Sequence, residues 1–369
     1  MNTVYVIASV GRDSYTAMAR ISIASLRWSN SNARIVVVCD RQSDQLIRAA
    51  NDPILGEVDE WLAYKTPPGD GSFRSKFLKS SLRQRMSGPF LFLDVDTIVR
   101  DDLSFLFQVA GDIAGAPNHS REEFARQVWA GDQAILSAMQ WSTRDTFYVN
   151  SGVLLASESE GAHRVYQLWH DHWQRQQTRL HDSRDQPSLN TAIRESDIYC
   201  ERLDCRYNAQ IGANPLSMRD AAVWHYYYSL NYQAHSFIEE LIQRVIQTQQ
   251  VDTERLRNLM EAQRLWPKEY WTSGPGIYMV NGAVRDLVRC VEIGQGPDDL
   301  LHAMWRTDPV FARQVLAKTL ADSFWSDKPA AYRFARLRVL KTCPLELLRP
   351  AVRRCFIHEF YRRLRPGKR

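Results

Sequence analysis

Asp94-Val95-Asp96 is the part of the sequence whose residue types and spacing most directly suggest chemistry. Four apolar residues, Phe90 to Leu93, precede the pair and Ile98-Val99 follow it, which sets both carboxylates near the end of a buried strand. Two carboxylates about 4 Å apart repel each other by about 4 kcal/mol at an effective dielectric of about 20. A divalent cation is their natural partner. Hard oxygen ligands suit Mg²⁺ or Mn²⁺, and a diphosphate is the kind of group such an ion bridges. The competing reading is structural, with Asp96 or Asp101 capping a helix that starts at Asp102.

Other polar residues interrupt apolar runs. Asn150-Ser151-Gly152 breaks one such strand. A buried Asn is costly unless its amide is bonded, and Gly152 suggests a close backbone approach; a turn between two strands is the alternative. Asp185-Gln186 precedes Pro187 and a short helix carrying Leu189 and Asn190, and Asp185 suits the N-cap of that helix. His225 lies in AAVWHYY, where a lone His reads as a satisfied core residue. Lys76 offers a point charge that suits an anionic group such as phosphate. Lys79 or Arg74 can serve instead, and a solvated helix face competes for all three. Ala8 and Ser9 end the first strand, where small side chains allow close approach to the backbone or simply a tight strand-to-helix turn. Gly11, Arg12 and Asp13 form the loop between that strand and the helix that begins near Tyr15. His163, His170, His172 and His181 are read as a solvated helix face, and Cys200 and Cys205 as half-buried thiols rather than a bridge.

The elements that must position these residues follow from the apolar pattern. Strands are expected at Thr3 to Ser9, Arg34 to Cys39, Pro89 through LFLDVDTIV, Ile113 to Pro117, Tyr148 to Ala156 and Ala221 to Tyr227. Helices are expected at Tyr15 to Trp28, Ser75 to Arg85, Asp101 to Val109 and Glu160 to Arg179. The segment from His119 to Arg144 has no clear pattern. Short apolar strands alternating with helices imply an α/β fold with a mostly parallel sheet covered on both faces. After about Asn231 the pattern turns helical, at Phe237 to Gln247, Glu254 to Arg264 and Pro309 to Ser323. Gly274-Pro275-Gly276 reads as a turn. The expected division is a catalytic domain over 1–232, a helical accessory region over 233–329 and a basic tail over 330–369.

Six blocks, in order, resemble the family-eight glycosyltransferases and their GT-A relatives: VIASVGRDSYTAMARISIASL, SKFLKSSL, LFLDVDTIV, YVNSGVLLA, DQPSLNTAI and VWHYY. The resemblance spans roughly Val4 to Tyr228. It implies a GT-A, Rossmann-like α/β fold and retaining transfer of a hexose from a nucleotide-sugar, UDP-glucose or UDP-galactose. It further implies that His225 joins Asp94 and Asp96 around Mn²⁺ or Mg²⁺. Val95, Lys76, Ala8, Ser9, Asp13 and Tyr15 would contact the donor. Asn150 would bond the donor or acceptor sugar, Asp185 the hydroxyls of the transferred sugar, and Gln186 would lie near the anomeric carbon. The family often continues its His strand with Gly and then Lys. Here Tyr226-Tyr227-Tyr228-Ser229-Leu230-Asn231 has neither, which shifts leaving-group neutralisation toward the metal and Lys76.

Composition is compatible with an enzyme. The chain has 369 residues, 44% hydrophobic and 24% charged, which excludes collagen-like and globally disordered classes. No run of eighteen apolar residues occurs, and the N-terminus enters a strand-like segment without a leader-like pattern. Six scattered cysteines fit a reducing compartment, so a cytoplasmic setting is expected. The net charge of +5 conceals an asymmetry, with twelve Arg and Lys against two Glu from Ala330 to Arg369. Val352, Phe356, Ile357, Phe360 and Leu364 share one helical arc, as an interfacial helix on an anionic membrane surface requires. A tail docked on the body competes, and nucleic acid is disfavoured without a recognised module. The expected acceptor is therefore a glycolipid or surface polysaccharide. Two other classes compete: a sugar-phosphate nucleotidylyltransferase, whose Gly-rich basic loop is not seen, and a non-catalytic carbohydrate- or membrane-binding protein on a transferase scaffold.

Overall fold

A computed structural model describes residues 2–9, 13–118, 126, 128–144, 146–210, 221–226, 238–261, 284 and 309–323. The chain forms two compact units, the first comprising Met1–Gln210, Asp220–Tyr228 and Ile238–Gln263. In the second, the principal described element is the helix Pro309–Ser323. The Gly11-Arg12 loop, the Gly274-Pro275-Gly276 turn and the basic tail fall outside the described residues. No helix among the described residues is long and apolar enough to cross a membrane.

The first unit is built on a seven-stranded sheet. Its strands are β1 (Asn2–Ile7), β2 (Arg34–Asp40), β3 (Glu60–Tyr64), β4 (Phe90–Leu93), β6 (Ile113–Pro117), β7 (Val149–Ala156) and β8 (Cys200–Arg202). They lie in the order β3-β2-β1-β4-β7-β6-β8. Neighbours are parallel except that β7 runs against both β4 and β6. The sheet is thus mixed α/β and mostly parallel, as its sequence pattern requires.

Strand periodicity explains the core. Val4 and Val6 enter one apolar cluster with Val36, Val38, Phe90 and Phe92, while Tyr5 and Ile7 enter another with Ile35, Val37, Leu91 and Leu93. Alternate residues therefore face opposite sides, and both sides are covered. Helices α4 (Gly71–Ser80), α6 (Glu160–Leu180) and α7 (Gln186–Glu195) supply Leu78, Trp169, Trp173 and Leu189 to the first cluster. Helix α1 (Ser14–Ser29) supplies Ile23 and Leu26 to the second. Between these layers the chain steps from β1 outward to β2 and β3, then returns to lay β4 on the other side of β1. A crevice opens at such a reversal, beyond the carboxyl ends of the strands.

Several elements depart from expectation. LFLDVDTIV is not one strand: β4 stops at Leu93, and β5 (Thr97–Val99) joins a separate three-stranded sheet with β9 (Ala209–Gln210) and β10 (Val223–His225). The bend between them is closed by Thr97 Oγ1, which donates to the Asp94 carbonyl at 2.8 Å. The helix expected over Asp101 to Val109 is only a short 3₁₀ turn, Ser104–Gln108. Helix α5 (Ala130–Met139) arises in the segment without clear pattern, and α2 (Arg41–Ala49) follows β2 directly. Helices α8 (Glu239–Thr248) and α9 (Thr253–Glu261) follow residue 232 and belong to the first compact unit. Arg20, at the core of α1, donates to the Gln249 carbonyl at 3.1 Å, and Arg100 donates to that of Met260 at 2.7 Å.

Candidate active site

Strand pairing assembles the site before any side chain does. The last pair of the antiparallel β4–β7 ladder is Leu93 with Val153, and the Asp94 amide donates to the Gly152 carbonyl at 2.8 Å. The two blocks Asp94-Val95-Asp96 and Asn150-Ser151-Gly152 are therefore neighbours. Beyond the bend, β5 pairs antiparallel with β10 so that Thr97 lies opposite His225. The Tyr226 amide donates to the Asp96 carbonyl at 3.1 Å and fixes that register.

One oxygen from each of Asp94 and Asp96 and one nitrogen of His225 lie within 4.8 Å of one another. The His225 Nε2 stands 3.3 Å from Asp96 Oδ1 and 4.0 Å from Asp94 Oδ2. This is the one group of three or more His, Cys, Asp or Glu among the described residues arranged to hold a metal ion. Its convergence requires a glycine at 152. A Cβ there would sit 2.3 Å from His225 Cε1 and 2.9 Å from Asp94 Oδ2, closer than atoms can approach.

Hydrogen bonds fix which nitrogen of His225 faces the acids. The Gly152 amide donates to Asn150 Oδ1 at 2.9 Å, so that atom is the amide oxygen. Asn208 Nδ2 donates to the same oxygen at 2.8 Å, which leaves Asn208 Oδ1 to accept from His225 Nδ1 at 2.9 Å. Nε2 is then the ring nitrogen that faces the two carboxylates. Two carboxylates and an imidazole nitrogen that converge on one point suit a cation, and a hydrogen-bond acceptor behind the ring, here the Asn208 carbonyl, orients it as metal-ligating His residues are oriented. Two carboxylates and an imidazole fit Mn²⁺ or Mg²⁺.

The cleft that holds this triad has a volume of about 520 Å³. Ala8, Asp13, Tyr15, Lys76, Asp94, Val95, Asp96, Asn150, Asp185, Gln186 and His225, all expected from the sequence, line it. Ser9 does not. It is fully buried, bonded through its amide to Ser43 Oγ at 2.8 Å and through its hydroxyl to Asp13 Oδ2 at 2.9 Å. It ties the end of β1 to α1 and α2 instead of presenting itself to a ligand. Asp13 is the N-cap of α1, accepting from the Thr16 amide at 2.9 Å. Tyr15 is half exposed at the mouth, and burial of the rest of its ring, followed by the charge of Asp96, pushes its phenol up.

The three basic candidates separate cleanly. Arg74 is buried against Asp40 at 2.5 Å, away from the lining. Lys76 lines the cleft 3.4 Å from Asp185 Oδ1. Lys79, 2% exposed, sits behind the cleft wall and bonds Asp94 Oδ1 at 3.0 Å, Asp185 Oδ2 at 3.1 Å and Ser151 Oγ at 3.1 Å. Burial works against the Lys76 charge, but the carboxylates of Asp185, Asp94 and Asp96 outweigh it and hold the ammonium above its ordinary range. Burial likewise opposes ionisation of Asp185, yet Lys76, Lys79 and the Ser151 hydroxyl keep it well below the usual carboxylate range. Although Asp185 occupies the N-cap position of α7, its carboxylate makes no capping bond. The expected cap is absent because the lysines and Ser151 engage that carboxylate.

Two amides expected to meet sugar are engaged by the protein itself. Asn150 Nδ2 donates to Asn118 Oδ1 at 2.9 Å and Gln186 Oε1 at 2.6 Å, while its oxygen accepts from Gly152 and Asn208. Gln186 Oε1 also accepts from the Ser151 amide at 3.3 Å, and its Nε2 donates to Asn118 Oδ1 and Asp132 Oδ2, each at 3.2 Å. Asp132 is buried, which pushes its carboxyl up against the lowering bonds from Gln186 and Tyr148. Lys79, which the sequence offered only as an alternative to Lys76, and Ser151 of the Asn150-Ser151-Gly152 block complete the site together with Asn118, Asp132 and Asn208, which the sequence did not mark. The histidines of α6 do not form a solvated face throughout: His172 is buried and bonded to Glu195 at 2.8 Å, and His170 bonds Ser80 at 2.8 Å. Cys200 and Cys205 are free thiols.

No family model and no curated protein matches the chain. Among solved structures, the chain is similar to the galactosyltransferase LgtC in complex with donor and acceptor sugar analogues, at 19% identity over 73% of this chain and 99% of that one, with a TM-score of 0.47. It is also similar to the glycosyltransferase GlyE of Streptococcus pneumoniae TIGR4, at 17% identity over 70% of this chain and 63% of that one, with a TM-score of 0.45. Mouse xyloside xylosyltransferase 1 aligns at 14% identity over 62% and 98%, with a TM-score of 0.41.

Proposed function

We propose that this protein is a metal-dependent glycosyltransferase that moves a hexose from a nucleotide-sugar, UDP-glucose or UDP-galactose, to a hydroxyl acceptor with retention of configuration. The observation that carries this reading is the convergence of Asp94, Asp96 and His225 at the carboxyl edge of β1 and β4, in a cleft also lined by Lys76 and Asp185. Asp94, Asp96 and His225 would hold Mn²⁺ or Mg²⁺. A divalent ion bound there supplies Lewis-acid stabilisation of the charge that grows on a departing diphosphate.

The protein's own groups divide the remaining work. Ala8, Val95 and Tyr15 border the nucleoside end of the cleft, where a small side chain and a half-exposed ring leave room for a planar base. Lys76 remains charged at any working pH and faces the diphosphate or a sugar hydroxyl. Asp185, held ionised, accepts from hydroxyls of the transferred sugar. Asn150 acts behind it, orienting Gln186 and, through Asn208, His225. The Gln186 carbonyl already accepts from Asn150 and Ser151, so neither lone pair is left for attack at the anomeric carbon. A short-lived oxocarbenium-like ion pair, with the acceptor entering on the face the leaving group vacates, fits a site without a competent nucleophile. A glycolipid or surface polysaccharide is the acceptor proposed, reached by a basic tail lying on an anionic membrane surface. Incubation with a panel of nucleotide-sugars and Mn²⁺, reading released nucleoside diphosphate, tests the proposal. Turnover that is abolished by EDTA is the expected result; full turnover in EDTA would remove the metal from the account.

A further inference from the structure

Lys79 is an unusual neighbour for a metal site. Its side chain is 2% exposed, and a lysine so deeply buried persists only when paired. Its ammonium touches both oxygens of Asp94, at 3.0 and 3.2 Å, as well as Asp185 Oδ2 and Ser151 Oγ. The ring of Phe92 lies beneath it at 4.8 Å. Asp185 does not need it as sole counter-ion, because Lys76 already lies 3.4 Å from its other oxygen. Asp94, in contrast, faces Lys79 with the same two oxygens that a cation in the triad would draw on.

We propose that Lys79 is a fixed internal cation that restrains Asp94 and sets the metal affinity of the free protein low, so that the ion enters together with the diphosphate of the nucleotide. This rests on the proposed metal site. A positive charge held about 3 Å from a ligand oxygen opposes a second cation on that oxygen by several-fold to a hundred-fold, even with substantial screening. A diphosphate brings oxygens and negative charge of its own, which offsets the opposition. Lys79 thereby acts as a positioning residue: it holds Asp94 and Asp185 at a fixed separation across the wall between β4 and α7.

The test uses the full chain and Mn²⁺ alone, with binding read from the free-ion electron paramagnetic resonance signal. Lys79→Met and Lys79→Gln remove the charge, and Gln retains hydrogen bonding should Met fail to fold. Both are expected to bind Mn²⁺ more tightly than the wild type by about ten-fold or more, while Lys79→Arg stays near wild type. Adding a nucleoside diphosphate is expected to strengthen Mn²⁺ binding more in the wild type than in Lys79→Gln. Unchanged or weaker Mn²⁺ binding in folded Lys79→Gln would overturn the role of Lys79. If that binding still vanishes in Asp96→Ala, the metal site itself stands. No Mn²⁺ binding in any variant, with or without nucleotide, would overturn both.

Discussion

The two ends of the cleft use their polar side chains differently. At the end beside β1 and α1, Ser9, Asp13 and Thr16 bond one another across separations of three to seven residues, with one longer tie from Ser9 to Ser43. At the end beside β4, β7 and α7, the hydrogen bonds among Lys79, Asp94, Asn118, Asn150, Ser151, Asp185, Gln186, Asn208 and His225 span 15 to 72 residues, and the Lys79–Asp185 ion pair joins positions farther apart still. Local bonds shape a loop. Long-range bonds make several elements agree on one geometry, and a reacting centre needs that agreement.

If the contrast is real, damage should scale with it. The largest loss is expected for Asp96→Ala: turnover of nucleotide-sugar should fall by at least about a hundred-fold, measured as released diphosphate at saturating Mn²⁺. Gly152→Ala comes next, because its Cβ must push His225 or Asp94 aside. Overpacking of this kind costs about 1–3 kcal/mol, and turnover should drop further than the melting temperature alone would explain. Normal activity in that variant would mean that the triad tolerates rearrangement.

The charged wall makes a smaller, pH-dependent prediction. Asp185 is more acidic folded than unfolded, so its ionised form stabilises the fold above the unfolded value of about 3.9, and that stabilisation is lost as pH falls below it. Asp185→Asn should therefore show a flatter decline of melting temperature between about pH 5 and pH 2 than the wild type. Parallel curves would show that the lysines do not hold that carboxylate ionised. The smallest effect belongs to the local end. Asp13→Ala removes a cap worth about 1 kcal/mol, whereas Asp13→Asn should retain most of it. A large rise in donor KM in the Asn variant would instead make Asp13 a nucleotide contact.

The same contrast explains what the sequence made legible. Runs such as RIVVVC and FLFL announce strands buried on both faces, and Glu160 to Arg179 announces its helix by spacing. Asp94, Asp96, Asn150 and Gly152 were visible because polar residues or glycine interrupt apolar runs, where burial demands a reason. Strand β3 is half-exposed along its length and α2 buries only Ser43 and Ile47, so neither carries a strong apolar period. The division of LFLDVDTIV depends on a side-chain bond from Thr97 and on pairing with a strand more than a hundred residues later. Asn118, Asp132 and Asn208 matter through partners 16 to 68 residues away, and nothing in their local sequence distinguishes them from surface polar residues. Pairing with Asp94 likewise separates Lys79 from Lys76 and Arg74 only in three dimensions.

Pulsed electron paramagnetic resonance of Mn²⁺ bound with a nucleoside diphosphate examines the triad most directly. Coupling to an imidazole nitrogen should be present in the wild type and disappear in His225→Ala, with the metal still bound through the acids and the diphosphate. A wild-type spectrum without nitrogen coupling would contradict the assignment of His225 as a ligand, and with it the geometry on which the proposed chemistry stands.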